Sequence, residues 1–270
     1  MNDSALRWVV LGLACPLLAA CMGSPSQSFS IHARDYGFVR VEEASQDPPL
    51  VLFYHGKLHK KAPLTIYLDG DGNPAAPANL GGQRDPTTRE RLVLELMRQE
   101  TGPAVLIGRP CYYPSRDGQR CSPKWWQEGR YSEAVVVRLA TAFDAIVERY
   151  QPSVVTVVGY SGGGALAVLL AARRPEISSI ITIAANLDTA AWAEFHGHKP
   201  LADSLNPLDV LPLPHPVRQL HFYGGRDQQV PVASAQAAIA RDPTARVEVI
   251  ESFDHRCCWA KRWGELRGRN

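Results

Sequence analysis

The sequence predicts an α/β fold built on a mostly parallel β-sheet, and three observations support this. From residue 64 onward, short apolar runs typical of buried strands alternate with segments typical of helices. One run, 154–158, is rich in valine and leads through a glycine-flanked serine, Ser161, into an Ala- and Leu-rich helix. The chain has 270 residues and is 45% hydrophobic, which suffices for one domain with a large core.

The N-terminal residues are predicted to be a targeting segment. Arg7 precedes an apolar run, 8–20, that is too short to span a bilayer comfortably and ends in small residues. Leu18-Ala19-Ala20-Cys21 resembles a bacterial lipobox, which implies that Cys21 carries lipid after cleavage. A soluble cleaved form and a retained anchor are the alternatives. We expect a signal peptide at 1–20, a tether at 21–30 and the folded domain at 31–270.

This interpretation locates the chain in the bacterial cell envelope, tethered to a membrane by its lipid and facing the periplasm. Met22 follows the cysteine instead of the aspartate that resembles an inner-membrane retention signal, so we expect the outer membrane. The formal net charge of +2 is too small to indicate a nucleic-acid partner.

The opening elements are predicted from local patterns. Residues 29–42 and 50–54 are expected to form an antiparallel hairpin at the sheet edge, separated by the Gln46-Asp47-Pro48-Pro49 turn. The next elements are a strand at 64–68, a helix at 84–100, a strand at 104–108 and a long helix at 131–150.

The later elements continue the alternation beyond Ser161. Strands are predicted at 177–185, 218–224 and 246–250, with helices at 232–240 and after His255. The Pro-rich segment 186–216 lies between two of these strands, and we expect it to form a lid or a pocket wall.

Four of the six cysteines lie outside the N-terminal segment. In an oxidising compartment an even number favours disulfides, and a Cys111–Cys121 bridge would restrain the polar loop between them. Cys257 and Cys258 are adjacent, so they either pair with each other or one pairs elsewhere. No paired Cys-x-x-Cys or His-x-x-x-His spacing predicts a zinc site.

The serine lies in a sharp turn between a predicted strand and a predicted helix. The glycines two before and two after Ser161 remove Cβ atoms that would collide in such a bend. This nucleophile elbow would present the serine Oγ at the carboxyl edge of the sheet, where the helix N-terminus can stabilise a developing oxyanion.

The chain resembles the α/β-hydrolase superfamily over almost the whole mature sequence, 21–270. The resemblance rests on Gly159-Tyr160-Ser161-Gly162-Gly163, on Tyr223-Gly224-Gly225-Arg226-Asp227 with Val230-Pro231, and on Phe253-Asp254-His255. It implies the α/β-hydrolase fold and a catalytic triad in which Ser161 attacks, His255 acts as base and Asp227 orients the imidazole.

The residues themselves support the same assignment. A serine needs a base within hydrogen-bond reach, and of the eight histidines only His255 directly follows the last predicted strand. Asp188 also follows a strand and is the alternative to Asp227, whereas Asp254 is better explained as a loop carboxylate.

The resemblance further implies an oxyanion hole made by two backbone N–H groups. These are Gly162 and, where the family usually has His-Gly, Asp71 in the Asp69-Gly70-Asp71 segment; Gly70 and Gly72 are alternative donors. A calcium loop is excluded here, because Pro74 and Leu80 stand where an EF-hand needs Gly and Glu.

Other conspicuous side chains have simpler explanations. Arg109 is expected to form a salt bridge rather than bind a substrate anion, and Trp125-Trp126 and Tyr112-Tyr113 are expected to pack beneath the 111–121 loop rather than line a pocket.

We therefore expect a serine hydrolase that cleaves a carboxylic ester, or else a thioester or amide, through an acyl-enzyme. The expected substrate is a small-molecule or lipid-like ester, and neither a metal nor an organic cofactor is implied. An acyltransferase with the same triad and a non-catalytic envelope lipoprotein with this fold are the alternatives. The oligomeric state, the substrate and its acyl chain length stay open.

Overall fold

Eight strands form one sheet in the computed structural model, which describes residues 23–43, 46–75, 84–114 and 121–269. The predicted signal peptide and Cys21 lie outside these residues. The strands run in the order β1-β2-β4-β3-β5-β6-β7-β8. Their bounds are Val39–Glu43, Leu50–His55, Leu64–Leu68, Ala104–Ile107, Val155–Tyr160, Ile177–Ile183, Arg218–Gly224 and Arg246–Ile250 for β1 to β8.

The sheet is parallel except at its N-terminal edge. Strand β2 pairs antiparallel with both β1 and β4, and the remaining neighbours are parallel. The predicted antiparallel edge and mostly parallel sheet are therefore confirmed. Because parallel strands end at the same edge, the segments that follow β3 to β8 meet there.

Seven α-helices surround the sheet in the described part of the chain. Their bounds are Pro25–Asp35, Leu92–Met97, Glu133–Tyr150, Gly162–Ala171, Thr189–Phe195, Gln236–Arg241 and Trp259–Arg267 for α1 to α7. Side chains of α3, α4 and α6 belong to one buried cluster, and those of α1, α2 and α7 to another. Helices thus cover both faces of the sheet, as expected for this fold class.

Helix α1 corrects the predicted start of the first strand. Pro25–Asp35 is helical, so six residues of the expected tether and the first part of the expected strand belong to α1. Ser24 and Gln27 form a reciprocal capping box, and Pro25 occupies the first turn. Phe29 and Ala33, one helical turn apart, are buried, which explains why a helix is favoured over an exposed tether.

Helix α2 is shorter than the predicted 84–100 helix. Only Leu92–Met97 is helical. Thr87 is buried and its hydroxyl accepts a hydrogen bond from the Tyr113 N–H, while the Pro86 carbonyl accepts one from the Asn73 N–H. These contacts with two other loops take the place of helical hydrogen bonds. Within the described ranges, no helix combines the length and apolar character that a membrane crossing requires.

Candidate active site

Ser161 lies between β5 and α4 with a backbone conformation that few residues adopt. Its φ is 52° and its ψ is −121°, and its N–H donates to the Ile183 carbonyl of β6 at 2.8 Å. A Cβ on Gly159 would come within 2.4 Å of the Gly163 carbonyl, so the turn requires glycine there. The turn presents the serine side chain at the carboxyl edge of the sheet.

His255 contacts both of the other predicted triad residues. Its Nε2 lies 3.1 Å from the Ser161 Oγ, and its Nδ1 lies 2.7 Å from the Asp227 Oδ2. The ring follows β8 in a loop that is held at the His255 carbonyl, which accepts from Trp259 Nε1 and from the Tyr160 hydroxyl. Three residues that are distant in sequence thus form one hydrogen-bonded chain.

The Asp227 carboxylate is buried, and both of its oxygens take part in hydrogen bonds. Its second oxygen, Oδ1, accepts from the Gln229 and Val230 N–H groups at 2.8 Å each. The turn after β7 passes so close to the β8 loop that a Cβ on Gly224 would lie 2.6 Å from the Phe253 carbonyl. This close approach directs the carboxylate toward the imidazole.

Asp188, the alternative acid, has different partners. Its Oδ1 accepts from the Ala190 and Ala191 N–H groups at the start of α5 and from Asn206 Nδ2. It is therefore the N-cap of a helix. Asp254 likewise binds its own loop, accepting from the Arg256 and Cys257 N–H groups.

The two predicted oxyanion donors come from segments that touch each other. Gly162 is the first residue of α4, so its N–H has no partner within the helix. A Cβ on Gly162 would collide with the Asp71 carboxylate, which shows how closely the loop after β3 approaches the elbow. The alternative donor Gly70 is less available, because its N–H donates to Asp69 Oδ1 at 2.8 Å.

The Asp71 side chain is the centre of a polar cluster that the sequence did not reveal. Its oxygens accept from Arg109 Nη1 at 2.6 Å, from the Tyr131 hydroxyl at 2.6 Å and from Arg130 Nη1 at 3.2 Å. Burial would raise the pKa of the Asp71 carboxyl, but the two guanidinium groups and the hydrogen bonds outweigh it and hold that pKa below its ordinary value. Arg109 forms the salt bridge expected of it, whereas nothing in the sequence indicated Arg130 and Tyr131.

Asp69 is buried beside this cluster in a less charged environment. Burial raises the pKa of its carboxyl to about 6, although hydrogen bonds from the Tyr113 hydroxyl and the Gly70 N–H oppose this effect. Tyr112, Tyr113 and Trp126 are also buried, Trp125 is partly buried, and none of the four lines the cavity at Ser161; residues 115–120 of the loop above them lie outside the described residues.

A cavity of about 330 Å³ opens over Ser161 and His255. The predicted wall segment 186–216 contributes Asn186, Trp192 and His198 to it. The rest of its lining is both polar and apolar and comes from the elbow, from the loop after β3, from the segments before α2 and α3, and from the loops after β7 and β8. No cluster of three or more His, Cys, Asp or Glu side chains suited to a metal ion occurs among the residues for which the structure gives positions.

The four cysteines outside the N-terminal segment form two pairs in the structure. Cys111 and Cys121 have Cα atoms 5.6 Å apart, within the usual range for a disulfide. Cys257, two residues after His255, pairs with its neighbour Cys258, which is one of the two arrangements that the sequence left open.

Comparisons with known proteins identify the same fold. A family model described as alpha/beta hydrolase fold matches residues 96–205. An esterase of Pyrococcus furiosus has a similar structure, with a TM-score of 0.59, 16% sequence identity and coverage of 87% of this chain and 92% of the esterase. Est1E from Butyrivibrio proteoclasticus matches with a TM-score of 0.58 and 12% identity, covering 85% of this chain and 98% of that chain.

An acylaminoacyl peptidase of Pyrococcus horikoshii, which is a longer chain, also has a similar structure. The match has a TM-score of 0.60 and 12% identity, covering 86% of this chain and 40% of the peptidase. No curated protein sequence matches this chain. On the sheet topology, the family model and these similar structures, the chain is an α/β-hydrolase-fold protein.

Proposed function

We propose that this protein is a serine hydrolase that cleaves carboxylic esters through an acyl-enzyme on Ser161. The observation that carries the proposal is the hydrogen-bonded chain from the Ser161 Oγ through the His255 imidazole to the Asp227 carboxylate. Such a chain converts a weakly nucleophilic hydroxyl into an effective nucleophile.

The geometry supports a two-step reaction. Ser161 Oγ attacks the carbonyl carbon of the ester while His255 Nε2 takes the hydroxyl proton, and the carbonyl oxygen becomes an oxyanion. Collapse of this intermediate breaks the bond to the alcohol, which leaves with the proton from His255. A water molecule then attacks the acyl-enzyme, again through His255, and the carboxylic acid is released.

The oxyanion would be stabilised by the backbone N–H groups of Gly162 and Asp71. Gly162 is at the positive end of α4, and Asp71 lies against it across the elbow. Asp227 would fix the tautomer of His255 and stabilise its cation, since its other oxygen is already held by two backbone N–H groups.

An ester is the substrate class that we favour over an amide, with a thioester as the further alternative. Two of the structurally similar proteins are named as an esterase and an acylaminoacyl peptidase, so fold similarity alone does not separate the classes. The preference over an amide rests on leaving-group chemistry, because an alkoxide leaves a tetrahedral intermediate more readily than an amide anion does and so demands less of the acid that protonates the leaving group.

A fluorophosphonate probe and p-nitrophenyl acetate test the proposal. We expect the wild-type protein to be labelled at Ser161 and to hydrolyse the ester, and Ser161→Ala to do neither. Ser153→Ala is the matched control, because Ser153 is exposed just before the opposite end of β5. Equal activity of wild type and Ser161→Ala would reject the proposal, and product analysis with an added alcohol would reveal acyl transfer.

The location of the protein is a separate proposal that rests on the sequence. Cleavage before Cys21 and lipidation of that cysteine would tether the domain to the cell envelope, facing the periplasm. Metabolic labelling with a radioactive fatty acid should mark the wild type and not Cys21→Ala. Labelling of both, or of neither, would contradict a lipid anchor at this cysteine.

A further inference from the structure

Arg109 is an almost completely buried arginine at the carboxyl edge of the sheet. It lies two residues after the end of β4, and its side chain is 1% exposed. The guanidinium carbon lies 4.9 Å from the centre of the Tyr112 ring and 5.6 Å from that of Tyr131. Burying an arginine is costly unless its donors meet acceptors; both Nη atoms of Arg109 do so, whereas its Nε has no partner among the described residues.

The donors of Arg109 connect two loops that border the cavity. Nη1 donates to the Gly70 carbonyl at 3.2 Å and to the Asp71 carboxylate at 2.6 Å, and Nη2 donates to the Arg130 carbonyl at 2.7 Å. The first two acceptors belong to the loop after β3 and the third to the segment before α3. One rigid, forked side chain therefore fixes the loop after β3 against the rest of the protein.

The loop held in this way carries the backbone N–H of Asp71 beside the elbow. It contains Gly70 and also Gly72, whose φ of +59° is in the left-handed region. Side-chain anchoring compensates for this intrinsic flexibility, since Asp71 accepts from Arg109 and Tyr131 on opposite oxygens and its carboxylate packs against Gly162.

The charge of Arg109 has a second consequence for the same place. A carboxylate beside an oxyanion hole would oppose the negative charge that develops on the substrate oxygen. Arg109 and Arg130 both form ion pairs with Asp71, at 2.6 and 3.2 Å, and so neutralise its charge. The carboxylate can then anchor the loop without disfavouring the intermediate.

We propose that Arg109 is a positioning residue that holds the Asp71 N–H in the oxyanion hole; this inference rests on the proposed hydrolase function. Removing an oxyanion donor from a serine hydrolase typically lowers kcat by about 10²- to 10³-fold. Loosening the donor should cost less, and we expect a loss of about 10- to 100-fold.

Arg109→Lys tests this inference, because it keeps the positive charge and loses the fork that joins the two loops. We expect kcat per fluorophosphonate-titrated site to fall by about 10- to 100-fold with KM changed by less than about threefold. Arg173→Lys is the matched control, since Arg173 makes a forked pair with Glu133 on the exterior and should retain wild-type kinetics.

Tyr131→Phe provides a milder variant that removes one hydrogen bond to the Asp71 carboxylate and no charge. It should lower kcat by about three- to tenfold while KM changes little. If Arg109→Lys does not fold, this variant alone tests whether anchoring of Asp71 affects kcat. Unchanged kcat per labelled site in a folded variant, or a rise in KM alone, would overturn the inference. A wild-type protein that is not labelled at all would instead reject the proposed function.

Discussion

Asp227 and Asp188 show how two carboxylates with similar sequence settings acquire different roles. Each follows a strand of the parallel part of the sheet. The turn after β7 directs Asp227 to the imidazole at 2.7 Å, while Asp188 accepts from the first N–H groups of α5. Sequence order alone left both as candidates, because it does not specify which strand-end turn bends toward His255.

Asp227→Asn should therefore lower kcat by about 10³- to 10⁴-fold, because the carboxamide no longer fixes the tautomer of His255 or stabilises its cation. Steady-state kinetics with p-nitrophenyl acetate measures the loss. Asp188→Asn is the matched control: its carboxamide oxygen can still accept from the helix N–H groups, so activity should stay within about threefold of wild type. The reverse order of effects would assign the acid to Asp188.

Asp69→Asn should change the pH dependence of stability. Burial raises the folded-state pKa of this carboxyl to about 6, above its value of about 4 in the unfolded chain. The folded state thus retains the Asp69 proton to a higher pH than the unfolded state does. The free energy of unfolding of the wild type therefore falls as pH rises from about 4 through 6. Asparagine has no proton to lose, so the variant lacks this fall in stability.

Urea unfolding at about pH 4 and pH 7.5 tests this expectation. The unfolding free energy of Asp69→Asn relative to wild type should increase by about 2 kcal/mol between the two pH values. If the difference in unfolding free energy between the variant and the wild type were the same at both pH values, Asp69 would not titrate in this range.

At the scale of elements, α1 links the N-terminal part of the domain to the site. Phe29 packs on Tyr113, with ring centres 4.5 Å apart, and on Phe53 at 5.4 Å. The Tyr113 hydroxyl in turn donates to Asp69 at 2.8 Å, next to the loop that carries Asp71. A helix whose first six residues were expected to belong to a tether is thus a component of the core.

Phe29→Ala should destabilise the protein by about 3 to 5 kcal/mol, because it leaves a cavity between two aromatic rings. Ile31→Ala on the same helix should change stability by no more than about 0.5 kcal/mol, since Ile31 is 47% exposed. Chemical denaturation of the two variants measures the difference. Similar small effects from both would mean that α1 contributes little to the folded state.

The elements also show where local patterns suffice. Strands β7 and β8 have the predicted bounds, and β5, α3 and α4 lie where the pattern indicated. The buried valine run of β5 and the long apolar stripes of the two helices have few alternative structures. Helix α2 and residues 25–35 departed from the prediction. In both places tertiary contacts or caps outweigh a weak local preference.

For the whole molecule, the parallel sheet gathers the segments after β3, β5, β7 and β8 around one cavity. Its volume of about 330 Å³ is at the low end for small-molecule sites, and much of its lining is polar. The Pro-rich segment 186–216 provides one wall with Trp192 and His198. The size and the polarity of the cavity both favour small acyl groups.

A series of p-nitrophenyl esters should therefore show the highest kcat/KM for acyl chains of about two to four carbons, with at least a roughly tenfold decline by about ten carbons. Trp192→Ala, which enlarges the wall, should reduce that decline. Phe195→Ala is the control on the same helix, because Phe195 is exposed and does not line the cavity. A preference of the wild type for long chains would contradict this expectation.

The sequence by itself determined the fold class and the elbow, because these depend on short-range patterns, and its resemblance to the α/β-hydrolase superfamily predicted the chain order of serine, acid and histidine. Only the tertiary structure decided which aspartate meets His255, that Cys257 pairs with Cys258, and that Arg109, Arg130 and Tyr131 surround Asp71. Those contacts join residues from separate loops, and their distances depend on how the loops pack rather than on any local preference.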